Sequence, residues 1–213
     1  MIKVQPFTFN PFEENTYVIS DETNECVVID PGCFTEQEER DLAAYIEMQK
    51  LKPVALWLTH AHIDHVLGCA FVFDKWNLKP QMHREDLKVL FSAKSYGELW
   101  GFKVEPSPEP EIFIEEGKQI KFGNSEFEIL HVPGHSPGHV VFYSKENRFV
   151  MGGDVLFSGS IGRTDLPGGN HEQLIRNIKT KLFLLPGDTT VFPGHGPKTT
   201  IEEERNSNPF LQE

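Results

Sequence analysis

Within seven positions the chain reads Thr59, His60, Ala61, His62, Ile63, Asp64, His65. Imidazole nitrogens and carboxylate oxygens are the side-chain atoms that zinc, iron and manganese accept. Residues two apart in an extended segment point the same way, so His60 and His62 can face one cation. Asp64 and His65 follow where the chain turns, and they aim at a neighbouring position suited to a second cation roughly 3.5 to 4 Å from the first. Three further residues stand in glycine-bearing turns just past predicted strands: His135 after Gly134, Asp154 after Gly152 and Gly153, and His195 between Gly194 and Gly196. Glycine lets backbone crowd close to a metal pocket. Taken singly, each of the three is an ordinary turn residue; taken with the first cluster, all are candidate ligands. A structural zinc site closes its shell with four ligands, usually cysteines at C-x-x-C spacing, whereas Cys26, Cys33 and Cys69 are scattered. The set therefore points to catalysis with two divalent metal ions. Zinc is the expected metal, with iron and manganese also acceptable to such ligands.

Each cluster needs a strand to deliver it. Residues 54–58 read as a short buried strand running into His60, residues 126–132 precede His135, residues 148–151 precede Asp154, and residues 190–192 precede His195. Further strands are expected at the N-terminus through Ile2, Val4 and Phe7 and again through residues 17–19, then at 26–29, 111–114, 118–122 and 140–144. Asn10, Pro11 and the acidic pair Glu13 and Glu14 read as a turn. Helices are expected over residues 36–51, with Leu42 and Ile46 at helical spacing, over 66–76 and 84–100, and after Asn170. Asn170 with Gln173 resembles a capping box, and Leu174, Ile175, Ile178 and Leu182 supply a buried stripe. Residues 105–111 form a Pro-rich surface segment that is expected to be flexible. Two rounds of strands followed by helices imply an α+β fold, two mixed sheets packed together with helices outside: a four-layer αββα sandwich. At 213 residues, one domain over 1–213 is expected.

The formal net charge of −12 repels phosphate backbones, so nucleic acid is not an expected partner and a small-molecule substrate is. The opening residues lack the apolar core and cleavage site of a secretory signal, and no stretch has membrane-spanning length. An odd count of three isolated cysteines argues against a disulfide framework. A cytoplasmic, membrane-free setting is the expectation. His131 and His139, four residues either side of His135, read as packing or supporting groups. His83 and His171 receive no role. Arg163 is either an ion-pair partner of Asp165 or a group for a substrate carboxylate. Phe7, Phe9, Phe12 and Tyr17 are either core or an apolar wall near the pocket.

In residues 59–65, 131–139, 152–163 and 192–197 the chain resembles metallo-β-lactamase-fold hydrolases, and among them the hydroxyacylglutathione hydrolase (glyoxalase II) branch. The resemblance implies that His60, His62 and His135 hold one metal ion, that Asp64, His65 and His195 hold the second, and that Asp154 bridges both. It implies that Asp30 is a buried acceptor for a ligand imidazole, although Asp30 before Pro31 and Gly32 is equally a turn residue. Class B β-lactamases lack the bridging aspartate and several use a cysteine ligand, so the implied substrate is not an antibiotic. It is a small thioester, attacked by water activated between the two cations, with Asp64 as the catalytic residue that orients the nucleophile. Glyoxalase II adds a helical segment after the final histidine that supplies much of the glutathione contact; here 18 residues follow His195. The alternative activity on the same fold is persulfide dioxygenation, with a single iron held by the equivalents of His60, His135 and Asp154.

Overall fold

Side-chain alternation explains the layering. In the strand Glu25–Ile29, Cys26 and Val28 enter one hydrophobic cluster while Val27 and Ile29 enter another, as a period of two requires of a sheet buried on both faces. The computed structural model describes residues 2–99 and 101–212. Trp100, the predicted end of the third helix, lies outside the described residues.

One six-stranded sheet runs in spatial order β1 (Lys3–Phe9), β2 (Glu14–Ser20), β3 (Glu25–Ile29), β4 (Lys52–Trp57), β5 (Pro80–Met82), β6 (Ile112–Phe113). It is antiparallel as far as β3 and parallel beyond. The second six-stranded sheet is built from β7 (Gln119–Phe122), β8 (Ser125–His131), β9 (Val140–Ser144), β10 (Phe149–Gly153), β13 (Thr190–Pro193) and β14 (Thr199–Thr200), with β10 parallel to β13. A small hairpin pairs β11 (Leu156–Phe157) with β12 (Ser160–Ile161). Between the sheets Tyr17, Ile19 and Trp57 meet Phe127, Phe142 and Met151, and the Trp57 ring lies 5.2 Å from that of Phe142. Helices α1 (Glu36–Met48), α2 (Cys69–Trp76) and α3 (Leu87–Leu99) set Leu42, Val72 and Leu90 on the outer face of the first sheet. Helices α4 (His171–Thr180) and α5 (Ile201–Ser207) set Leu174, Ile178 and Ile201 on that of the second. The result is the αββα sandwich.

Local differences from the expectations have local causes. Glu14 does not belong to the turn: Glu13 absorbs the corner at φ +56°, and Glu14 opens β2 fully buried. The helix expected from residue 66 starts at Cys69, because residues Ile63–His65 form a 3-10 turn first. The helix expected from residue 84 likewise opens with a 3-10 turn, Arg84–Asp86, before α3. β5, β11, β12 and β14 are too short to leave a periodic signal. Residues 105–111 are irregular and are flanked or joined by the buried Val104 and Pro110. All three cysteines are buried and free. Among the described residues no helix is long and apolar enough to cross a membrane.

Asp21, just past β2, joins the two sheets. Its carboxylate accepts hydrogen bonds from Thr23 N–H at 2.9 Å, Asn124 N–H at 2.8 Å and the Ser125 hydroxyl at 2.9 Å. Burial alone would raise its pKa, but these donors outweigh burial and hold it below the usual carboxylate value. A depressed folded-state pKa means that this stabilisation is complete above the unfolded value of about 4 and is lost as pH falls through the lowered one. Asp21→Asn is expected to cost about 1.5 to 3 kcal/mol at pH 7, with the gap to the parent closing in strong acid. Urea unfolding across that range checks this; a gap independent of pH contradicts it.

Candidate metal centre

The parallel strands β3 and β4 end side by side, and there Asp30 turns the chain at φ +48° with its side chain buried. Its carboxylate accepts Thr59 N–H at 2.7 Å and the Thr59 hydroxyl at 2.6 Å, and faces His65 Nδ1 at 3.2 Å. Both readings of Asp30 therefore hold: it is a corner residue and an imidazole acceptor. His60 follows the bend at Thr59, His62 is extended at φ −64° and ψ 153°, and the 3-10 turn then redirects Asp64 and His65. His135 follows β8, Asp154 follows β10, and His195 follows β13. Gly194 has to be glycine, because a Cβ there would lie 2.1 Å from Asp154 Oδ1.

All seven side chains converge at this edge. His62 Nδ1 lies 2.8 Å from His135 Nε2, which lies 3.2 Å from His60 Nε2. His195 Nε2 lies 3.1 Å from Asp64 Oδ2, which is 3.8 Å from His65 Nε2. These are two adjoining groupings, with His60 and His65 also meeting at Asp30, and Asp154 stands between them: Oδ2 is 3.5 Å from both His135 Nε2 and His195 Nε2, and Oδ1 is 3.3 Å from His65 Nε2.

Proton placement shows what these atoms can hold. His135 Nδ1 faces the Arg163 carbonyl at 2.7 Å and so carries the hydrogen, leaving a lone pair on Nε2. The Thr59 hydroxyl gives its proton to Asp30, so His60 Nδ1, 3.0 Å away, donates to Thr59 and likewise leaves its lone pair on Nε2. Two lone pairs thus face each other at 3.2 Å. His65 directs Nδ1 at Asp30, and its Nε2 and the adjacent Asp154 Oδ1 are buried without any hydrogen-bond partner. Buried lone pairs and carboxylate oxygens this close together are costly unless a proton or a metal cation lies between them, and the donor set fits divalent metal ions.

The electrostatics divide the groups. Burial, with neighbouring imidazoles adding to it, holds His60 well below its ordinary pKa, and burial and His135 push His62 down to about 3. Burial also lowers His135. These three are neutral at physiological pH, the state a metal ligand needs. For His65 burial acts downward, but the carboxylates of Asp154 and Asp64 outweigh it and raise the pKa well above normal; a field that holds a proton there favours a cation as well. Asp64 and Asp154 are lowered despite burial, chiefly by His65.

Sequence reasoning missed several supports. Asn15 fastens the His195 turn, with Nδ2 donating to Pro193 O at 3.2 Å and Gly196 O at 2.9 Å. His139, by contrast, fits the expectation of packing or support and is both: it stacks on His60 at 4.7 Å and its Nε2 accepts Asp154 N–H at 3.0 Å. Glu14, fully buried, brings Oε1 within 3.7 Å of His65 Nδ1, and burial holds its carboxyl well above the usual range. Its place in an acidic pair gave no sign of this. Asp86, also buried, bonds to both ligand loops. The Arg163 guanidinium pairs bidentately with Asp165 at 2.8 and 2.7 Å, and only its carbonyl reaches His135. His131 stacks on His83 at 4.1 Å, and His171 is exposed. The apolar wall is smaller than the four aromatics proposed for it. Phe7 and Phe9 stack beneath α1 and Tyr17 lies between the sheets, while Phe12, whose carbonyl faces His195 Nδ1 at 3.1 Å, packs on Phe102.

Residues 9–195 match the family model described as "Metallo-beta-lactamase superfamily". A hydroxyacylglutathione hydrolase, GloC, from Haemophilus influenzae is 38% identical over 212 residues, covering 99% of this chain and 97% of that protein. Among solved structures, TTHA1623 in a di-iron-bound form is 42% identical with a TM-score of 0.88, covering 98% of this chain and 100% of that one. The BLEG-1 B3 metallo-beta-lactamase is 34% identical with a TM-score of 0.90, covering 100% of both chains.

Proposed function

Because the chain belongs to the metallo-beta-lactamase superfamily, we propose that it is a hydrolase using two divalent cations to cleave a small thioester of the hydroxyacylglutathione type. The observation that carries this reading is the Asp154 carboxylate, within 3.5 Å of imidazoles from both groupings. His60, His62 and His135 would hold one cation, Asp64, His65 and His195 the other, and Asp154 would touch both. Such a pair, when bound, supplies Lewis acidity and lowers the pKa of a shared water towards neutrality. Zinc is our assignment, and the di-iron form of a relative 42% identical to this chain makes iron its rival.

Asp64 is the residue we assign to orient the attacking water. It is deprotonated, and its Oδ2 lies 3.1 Å from Nε2 of its fellow ligand His195. His195 is in turn held through Nδ1 by Phe12 O, which keeps its Nε2 turned towards Asp64. Asp30 and the Arg163 carbonyl fix His65 and His135 by their second nitrogens, which keeps the opposite nitrogens turned inward. A thiolate departs without strong protonation, which suits a cluster of imidazoles and ionised carboxylates. The thioester assignment draws support from the GloC relative. Buried free thiols and a net charge of −12 support a cytoplasmic enzyme with a small-molecule substrate.

The test is turnover of S-D-lactoylglutathione by the protein as purified, followed by thiol release, beside oxygen uptake with glutathione persulfide and hydrolysis of a chromogenic β-lactam. We expect thioester cleavage that falls at least about a hundredfold on chelation and returns with added zinc. Oxygen uptake with one iron per chain, or β-lactam cleavage without thioester cleavage, overturns the assignment.

A further inference from the structure

Asp86 belongs to none of the ligand-bearing loops. It closes the 3-10 turn Arg84–Asp86 ahead of α3, and its side chain is fully buried. Its Oδ2 accepts Ala61 N–H at 2.9 Å, while Oδ1 accepts the Ser136 hydroxyl at 2.6 Å and Gly138 N–H at 2.5 Å. Ala61 lies between His60 and His62, and Ser136 follows His135. Three donors from the two segments that bear the first imidazole grouping therefore meet on one carboxylate. The approach is close: a Cβ on Gly138 would fall 2.6 Å from Asp86 N and 2.9 Å from its Cβ.

Burying a carboxylate is expensive, and here its partners are two amides and a hydroxyl rather than a cationic side chain. Asparagine could not replace it. One end of an amide donates, and whichever way it turned it would point N–H at an N–H on one of the two loops. We propose that Asp86 is a positioning residue for the first cation: a buried brace that ties the His60 and His62 segment to the His135 loop and sets the separation of their nitrogens. This rests on the reading of those imidazoles as ligands. Imidazoles that must meet one ion tolerate little displacement, and supports of ligand loops typically govern affinity by about 10 to 100-fold.

The test loads the full-length protein with zinc and measures its release to a chromophoric chelator, in the parent, Asp86→Asn and Ser136→Ala, with thermal unfolding of each in parallel. Asp86→Asn is expected to weaken one of the two zinc equivalents by about 10 to 100-fold and leave the other near the parent value. Ser136→Ala, which removes a single donor, is expected to weaken the same equivalent by about threefold or more while the chain still folds, its unfolding midpoint lowered by a few degrees. Cobalt(II) spectra of the loaded variants should change with the altered ligand spacing. Zinc affinity within twofold of the parent in both variants overturns the brace, as does equal weakening of both equivalents. If Asp86→Asn fails to fold, Ser136→Ala alone decides by the same criteria. A parent that binds no zinc, iron or manganese defeats the ligand reading itself, and the brace with it.

Discussion

Asp154→Ala is expected to leave the chain unable to retain two cations and to lower kcat/KM for a thioester by at least about a thousandfold. Asp154 is buried, is ionised, and among the described residues is the one whose carboxylate faces His65, His135 and His195 together. Without it the negative charge between the groupings falls and the buried His65 Nε2 loses its nearest carboxylate. The loss should be cooperative, since His135 and Asp154 serve one position while His65 and Asp154 serve the other. Metal analysis together with kcat/KM measures both halves of this expectation. Two cations still bound tightly in the variant, with turnover close to the parent, would place Asp154 outside the centre.

Asp64→Asn is expected to separate binding from turnover. The change keeps the side chain's size and removes its charge, and Asp64 takes no part in the grouping of His60, His62 and His135. That first cation should therefore be retained while the second is weakened. The fall in kcat should be on the order of a thousandfold, in the range that orientation and proton acceptance by a placed side chain supply. KM should move far less. Near-normal kcat with one cation lost would take Asp64 out of the chemistry and leave it a dispensable ligand.

The sequence carried the seven residues because each bears a local mark. His60 and His62 have the period of an extended strand, Asp64 and His65 the break that follows, and His135, Asp154 and His195 the glycines that let backbone approach closely. The αββα layering was equally legible, since Val27 and Val28 must face opposite ways wherever the strand lies. The supports bear no such mark. Glu14 is one of an acidic pair and Asp86 one of an acidic turn, and either would look the same on a solvated surface; the contacts that make them supports come from residues 25 to 52 positions away. His139 differs from His131 only in facing inward, where it accepts from Asp154 N–H, whereas His131 is paired with His83 and Pro137 O near the surface. The aromatic residues show the same limit: Phe9 and Phe12 are close in sequence, yet one packs beneath a helix and the other beside the His195 turn.

Anomalous X-ray scattering at the metal edges, on crystals of the protein as purified, locates the cations themselves. Two peaks about 3.5 to 4 Å apart are expected, one among His60, His62 and His135, the other among Asp64, His65 and His195, with Asp154 beside both. A single peak, or one lying only in the outer cluster of His83, Glu85 and His131, would contradict the two-cation centre.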